Sequence, residues 1–291
     1  MRRAWFLGAL GTALVAPRGA AARTLELDEL VARIPGITGV YARTMDGAPA
    51  SVAIRDGEPF AAASIIKLAI LVTAYRAFDA GTASPDDWVT LRANDLVGGS
   101  EMLASARSGA SYRMGDLVHG MIRRSDNSAS NALISAFGFA TIADTIAACD
   151  MPGTHLRRHF ADVVPAWRVS ENATTPRDIG SLLYALERGA REGLDTVATS
   201  ASCRAMIGIL LGQEDRTKIP AGLPPGTPCA NKTGEIDRVR NDAAIVDPYG
   251  EGPYVLVVLT RALEDTRAGN RGIAAIARRV DRALRPSARP A

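Results

Sequence analysis

Lysine is the informative residue type in this chain. Of 34 basic side chains only three are lysines, Lys67, Lys218 and Lys232, and the other 31 are arginines. Arginine serves wherever a generic cation will do, but only lysine can lose its proton near neutrality and act as a base. Two of the three lysines stand in short polar constellations. In Ser64-Ile65-Ile66-Lys67 a hydroxyl and an amine lie three residues apart at the start of an apolar run. On a helix that spacing puts them on one face, one turn apart. Ser64 would then sit near a helix N-terminus, where backbone N–H groups favour developing negative charge. Lys67 in an apolar setting would have a lowered pKa and could accept the serine proton. In Lys232-Thr233-Gly234 the amine supplies positive charge, the hydroxyl can bind a carboxylate, and glycine permits close backbone approach. Between them lies Ser125-Asp126-Asn127, a turn or helix-start cluster by composition.

These groups need elements to position them. Leu25 to Ile34 has near-helical apolar spacing and stops at Pro35-Gly36. Strands are predicted at Thr38 to Thr44 and near Ser51 to Ile54, with Asp46-Gly47 as the turn. Ser64 to Phe78 reads as a buried helix ending at Gly81. Several helices follow to about Leu211, one of them capped by Thr175 with Pro176 at its first position and Asp178 in its first turn. Strand character returns at Pro228 to Thr233, Asp242 to Val246 and Tyr254 to Thr260, and a last helix spans Ile273 to Leu284. Lys-Thr-Gly is therefore expected at a strand end before a turn. The whole is an α+β chain, an α/β/α sandwich whose antiparallel sheet comes from both ends of the sequence. The expected division is a sheet part, 23–61 and 213–291, and a helical insertion, 62–212.

Bulk composition narrows the function classes. The chain has 291 residues, is 47% hydrophobic and 22% charged, and its mean hydropathy is +0.04, all globular values. Arg2-Arg3, the apolar stretch Trp5 to Val15 and Ala20-Ala21-Ala22 have the three-part form of a secretory signal over 1–22. The apolar stretch is far short of the ~20 residues of a spanning helix. The expected destination is thus periplasmic or secreted, with no stable membrane span after cleavage. Three arginines and no acids fall in 1–22, so the formal +3 vanishes in the remainder. With no basic stripe interleaved with aromatics, nucleic acid is not an expected partner. Cys149, Cys203 and Cys229 are three dispersed thiols with no C-x-x-C. His155 and His159 are four apart without a surrounding zinc motif, so neither metal nor cofactor is expected. A Ser-His-Asp protease is disfavoured, because no Gly-x-Ser-x-Gly occurs.

Ser-x-x-Lys, Ser-Asp-Asn and Lys-Thr-Gly occur in this order, 61 and then 107 residues apart. With Thr174-Thr175-Pro176 and Arg240-Asn241-Asp242, the sequence over roughly 25–285 resembles the class A β-lactamases, within the penicillin-recognising serine enzymes. The resemblance implies that Ser64 forms an acyl-enzyme with a β-lactam or D-Ala-type peptide and that Lys67 exchanges its proton. It implies that Ser125 relays a proton to the departing nitrogen and that Asn127 binds the substrate's amide side chain. Lys232, Thr233 and Gly234 would form the carboxylate end, with Arg240 an extra contact there. The backbone N–H groups of Ser64 and Glu235 would form the oxyanion hole. The implied protein is a monomer acting on a small molecule, with substrate preference set around Val97 to Leu103 and Glu235 to Val239.

One departure stands out. The family carries a glutamate before the Thr-Thr-Pro helix that activates the deacylating water, and no glutamate occupies the aligned place near Phe160 to Asp162. The loop's carboxylates are Asp162 and Glu171. Acylation needs Ser64, Lys67 and the oxyanion hole, whereas deacylation needs a positioned base worth typically ~10²–10⁴-fold. With Glu171 or Asp162 in that role the chain would be a turning-over β-lactamase. Without it, a D,D-peptidase, an esterase or a covalent β-lactam or cell-wall-peptide sensor remains open.

Overall fold

The computed structural model describes residues 27–99, 101–160 and 171–285. The expected signal segment 1–22 and Asp162 lie outside the described residues. The strands are β1 (Ile37–Thr44), β2 (Val52–Ile54), β3 (Phe60–Ala61), β4 (Trp88–Thr90), β5 (Ser111–Arg113), β6 (Ala173–Thr174), β7 (Cys229–Ile236), β8 (Val239–Val246) and β9 (Tyr254–Arg261). The helices are α1 (Asp28–Ala32), α2 (Lys67–Asp79), α3 (Met114–Arg123), α4 (Asn127–Phe137), α5 (Phe139–Ala148), α6 (Pro176–Glu192), α7 (Ser200–Leu211), α8 (Ile219–Gly222) and α9 (Thr266–Leu284).

Five strands form one antiparallel sheet in the order β2-β1-β9-β8-β7. Strand alternation divides their side chains between two cores. On β8 and β9, Ala243, Ile245, Val255, Val257 and Leu259 face the larger core, shared with α2 to α7. Their neighbours Ala244, Val246, Tyr254, Leu256 and Val258 face Leu27, Ile273, Ile276 and Val280 on the α1 and α9 side. A sheet covered on both faces explains why these strands read as continuous apolar runs. The sandwich is therefore the architecture the sequence implies, with the sheet assembled from both chain ends. Among the described residues no single helix is long and apolar enough to cross a membrane.

The helical layer sits close to the sheet. A Cβ on Gly180 of α6 would lie 2.1 Å from the Tyr41 ring on β1, so glycine sets that approach. Thr175 caps α6, its hydroxyl accepting from Asp178 N at 3.1 Å, with Pro176 next in line as expected. Ahead of this cap, β6 pairs with β3 through Phe60 and Thr174. Asn172 O accepts from Ala62 N at 2.8 Å, tying the start of α6 to the turn that carries Ser64. Removing the cap in Thr175→Ala should cost about 1 kcal/mol, a fall of roughly 2–4 °C in melting temperature. Thermal unfolding followed by circular dichroism checks this, and an unchanged melting temperature would show that the cap is redundant.

Candidate active site

Ser64 lies on a 3-10 turn, Ala63–Ile66, that runs directly into α2. The sequence suggested an α-helical Ser64-Lys67 pair. On a 3-10 turn residues i and i+3 eclipse, so the tighter geometry keeps both on one side. The turn is held from two directions. Asn241 of β8 donates from Nδ2 to Ala61 O at 2.9 Å and accepts from Thr260 N at 2.8 Å. The Asn172 backbone takes Ala62 N, as above. Ala63, just before the serine, has φ +46°, and Ser125 has φ +57°. Left-handed backbone at non-glycine residues is uncommon and concentrates at functional sites.

Ser125 joins the two amines. Its Oγ is 2.9 Å from Lys232 Nζ and 3.3 Å from Lys67 Nζ. Lys67 Nζ also donates to Ser125 O at 2.6 Å and to Asn127 Oδ1 at 2.9 Å. Lys232 Nζ donates to Thr233 O at 2.8 Å. Both lysines have no exposed surface. Burial, then the charge of Lys232, holds Lys67 well below the ordinary lysine range, with Asp126 opposing. Burial also lowers Lys232, to about 7, against the favourable pull of Asp242 and Asp215. A neutral Lys67 has two N–H donors, which the two carbonyl-type oxygens take. Its lone pair is then left to accept a proton from a hydroxyl. Among the described residues Ser64 Oγ has no hydrogen-bond partner, and Lys67 Nζ is bonded to Ser125 and Asn127.

The loop segments around this centre are pinned by buried polar side chains. Asp126 caps α4 through Ala129 N at 2.8 Å and accepts from Met102 N and Leu103 N at 3.0 and 3.1 Å. Asn131, one turn beyond Asn127, accepts from Phe160 N at 2.8 Å and donates to Phe160 O at 3.2 Å. The Phe160 ring then lies 4.4 Å from Lys67 Nζ. Asn172 accepts from Arg157 N and Arg158 N at 2.7 and 3.1 Å. Sequence reasoning missed the positioning work of Asn131, Asn172 and Asn241. For Asn241 the signal was its place in Arg240-Asn241-Asp242, and for Asn131 a polar residue within an apolar helix.

These elements enclose a cleft of about 720 Å³ lined by Ser64, Ser125, Asn127, Glu171, Thr233 and Glu235, among others. Glu171 is thus on the cleft wall, but both its oxygens are engaged. Oε2 accepts from Arg158 at 2.6 Å and Oε1 from Asn172 N at 3.1 Å. Asn127 Nδ2 donates to Gly98 O at 3.1 Å, leaving part of its amide for a ligand.

Three expectations change. Lys-Thr-Gly does not end a strand: β7 continues to Ile236 and pairs with β8 as far as Val239. Segment 235–239 is consequently mostly a paired hairpin, because β8 supplies partners for it. Gly234 faces the Ser64 turn, since a Cβ there would be 3.1 Å from Ala62 O and Ile65 Cγ1. It lets the protein's own turn approach the strand. Arg240 is not among the cleft-lining residues, and its Nη1 donates to Ile236 O and Val239 O at 3.0 and 2.7 Å. The hairpin carbonyls have captured the guanidinium that was expected to meet a substrate. The three thiols are free, two of them buried, and no cluster of three or more metal-ligating side chains occurs among the described residues.

The family model described as Beta-lactamase enzyme family matches residues 22–284. The chain belongs to the β-lactamase enzyme family. Solved structures agree. The chain is 27% identical to PBP-A, with a TM-score of 0.79 over 89% of this chain and 94% of that one. It is 29% identical to a β-lactamase from Sphaerobacter thermophilus, with a TM-score of 0.79 over 89% and 98%. An ancestral class A β-lactamase is 26% identical, with a TM-score of 0.79 over 89% and 99%. A mutant of PBP-A was solved as an acyl-enzyme complex with penicillin G, and it is 27% identical with a TM-score of 0.78 over 89% and 94%. No curated relative matches the chain.

A permanent cation cannot replace a base, so the two lysines should respond differently to arginine. Lys67→Arg should slow acylation by a β-lactam at least ~10²-fold. Lys232→Arg, which keeps a charge beside Ser125, should retain most of the rate. Stopped-flow acylation with circular dichroism on each variant checks this, and equal losses in two folded variants would contradict the assignment. The lowered Lys232 also bears on stability. The unfolded chain binds that proton up to about 10.5 and the folded chain only up to about 7. Between those values the unfolded state holds more protons, so this group makes stability rise with pH. Urea midpoints from pH 7 to 10 should therefore rise less in Lys232→Met than in the parent.

Proposed function

We propose that this protein is an exported serine enzyme that opens β-lactam rings through an acyl-enzyme on Ser64. The observation that carries the proposal is Ser125 Oγ between two fully buried amines, at 2.9 and 3.3 Å, in the cleft that Ser64 lines. Lys67 takes the Ser64 proton as Oγ attacks the lactam carbonyl. Lys67 then returns a proton through Ser125 to the departing ring nitrogen, with Lys232 supplying charge beside Ser125. Backbone N–H groups of Ser64 and Glu235 receive the oxyanion, and Thr233 with Lys232 holds the substrate's carboxylate end. The acyl-enzyme reported for the PBP-A mutant supports β-lactams as the substrate class. In a turning-over β-lactamase, Glu171, one of the carboxylates on the cleft wall, would activate the deacylating water.

A second reading rests on the engagement of that same carboxylate. Glu171 is held by Arg158 and Asn172, and a base so held activates water poorly. The protein would then acylate and stall, as a penicillin-binding D,D-peptidase or a covalent sensor does. Mixing the purified protein with a chromogenic cephalosporin, and following colour and intact mass together, separates the two. Sustained turnover that disappears in Ser64→Ala is the result expected of the β-lactamase. A single burst with a lasting Ser64 adduct establishes the stalled form, and neither colour nor adduct would overturn the proposed chemistry. If Glu171 is the base, Glu171→Gln should accumulate acyl-enzyme with undiminished acylation.

A further inference from the structure

The last helix, α9, carries a row of arginines that the rest of the protein leaves largely unpaired. Its apolar side, Ile273, Ile276, Ala277 and Val280, packs on the sheet together with Leu27. Arg267, Arg271, Arg278 and Arg282 are exposed. Their spacings of four, seven and four residues put them in one stripe along the helix. Most other guanidinium groups in the described residues meet a carboxylate, a carbonyl or a ring. Those with no hydrogen bond, ion pair or ring contact there are Arg92, Arg107, Arg267, Arg278, Arg279 and Arg282, and four of them are on α9. Nearby acids are engaged elsewhere. Asp281 is bound by Tyr254 and lies 3.6 Å from Arg285, Asp265 caps the helix 3.6 Å from Arg271, and Glu29 of α1 faces Arg33 at 3.4 Å. Only Arg282 stands in the last turn, where a cation complements the helix dipole, so the dipole does not account for the row.

We propose that the outer face of α9 is a docking surface for an anionic phospholipid bilayer. Charge complementarity selects this partner. With residues 1–22 set aside, acidic and basic side chains balance in the chain, so the row is an asymmetry of placement and not a by-product of net charge. Unpaired guanidinium groups suit phosphate, which accepts two parallel N–H bonds from each. From Arg267 to Arg282 the helix runs about 22 Å, so its arginines can meet a flat surface together. Nucleic acid is the other polyanion a basic row could meet, but α9 carries no aromatic side chain to stack on bases. The position of the chain start agrees with a bilayer. Residues 1–26, with Arg2-Arg3 and the apolar stretch Trp5 to Val15, join the domain at Leu27, so that stretch is tethered to the α9 side of the sheet. The contact is peripheral, because the apolar side of α9 is buried on the sheet and electrostatics alone hold the surface. No residue of α1 or α9 lines the cleft, so Ser64 stays open while α9 is docked. The inference is independent of the reaction at Ser64.

Sedimentation with vesicles tests this. Protein purified after export, its start fixed by intact mass, is spun with vesicles of equal parts phosphatidylglycerol and phosphatidylcholine, and with vesicles of phosphatidylcholine alone. Binding to the mixed vesicles should exceed binding to the neutral ones at least ~10-fold in about 50 mM salt, and should fall to the neutral level by about 0.5 M. Arg278→Gln/Arg279→Gln/Arg282→Gln should lose at least ~10-fold, since each arginine near such a surface is worth roughly fivefold. The matching triple lysine variant should keep most of the binding. Arg92→Gln/Arg107→Gln, which removes the free arginines elsewhere, should bind as the parent does. Circular dichroism on each variant checks that the fold is intact. Equal binding to both vesicles, no binding to either, a glutamine triple variant that binds as the parent does, or retention at high salt would overturn the inference. Binding to a DNA duplex with none to vesicles would also overturn it and assign the row to nucleic acid.

Discussion

Two buried ammonium groups beside one hydroxyl resist carrying full charge together, and much of this molecule follows from that constraint. Ser125 Oγ lies within 3.3 Å of both Lys67 and Lys232, and neither lysine touches solvent. Desolvation penalises both charges, and each charge penalises the other. Nearby carboxylates oppose this in part, Asp126 for Lys67 and Asp242 with Asp215 for Lys232. The result is a pair of amines that both release a proton more readily than an exposed lysine, with one hydroxyl between them.

Such an arrangement is costly to maintain and needs a rigid frame. The larger core places α2 against the sheet, and buried asparagines and an aspartate then fix the backbone that bears the reactive groups. Asn241 and Asn172 hold the segment before Ser64. Asp126 and Asn131 fix the segments that carry Met102, Leu103 and Phe160. In each case a side chain satisfies backbone groups that no regular ladder could reach, which lets irregular, positive-φ backbone persist in the interior. Glycine at 234 and 180 serves the same end, by letting turn and helix approach strands whose side chains would otherwise keep them apart.

Much of this was legible in the sequence, and the reasons are local. Strand and helix positions followed from apolar periodicity, and the Thr175 cap with Pro176 behind it marked a helix start correctly. The scarcity of lysine pointed to Lys67 and Lys232 because a chain rich in arginine has little other use for an amine. What was not legible depends on distant partners. Lys-Thr-Gly sits mid-strand because β8 continues the pairing to Val239, and sequence around a glycine suggested a turn instead. Arg240 was read as facing substrate, yet the hairpin carbonyls take its guanidinium. Lys218 looked unremarkable until Asp215 and Glu235 were found converging on it.

The central claim concerns protonation, and the composition makes it directly measurable. With only three lysines, protein labelled with ¹³C-lysine gives three Cε signals that can be titrated individually. The account requires Lys67 to lose its proton well below the ordinary lysine range and Lys232 to titrate near 7. Lys218, which burial disfavours but Asp215 and Glu235 stabilise more strongly, should hold its proton above the ordinary lysine range. Three signals that all stay cationic through pH 9 would contradict it.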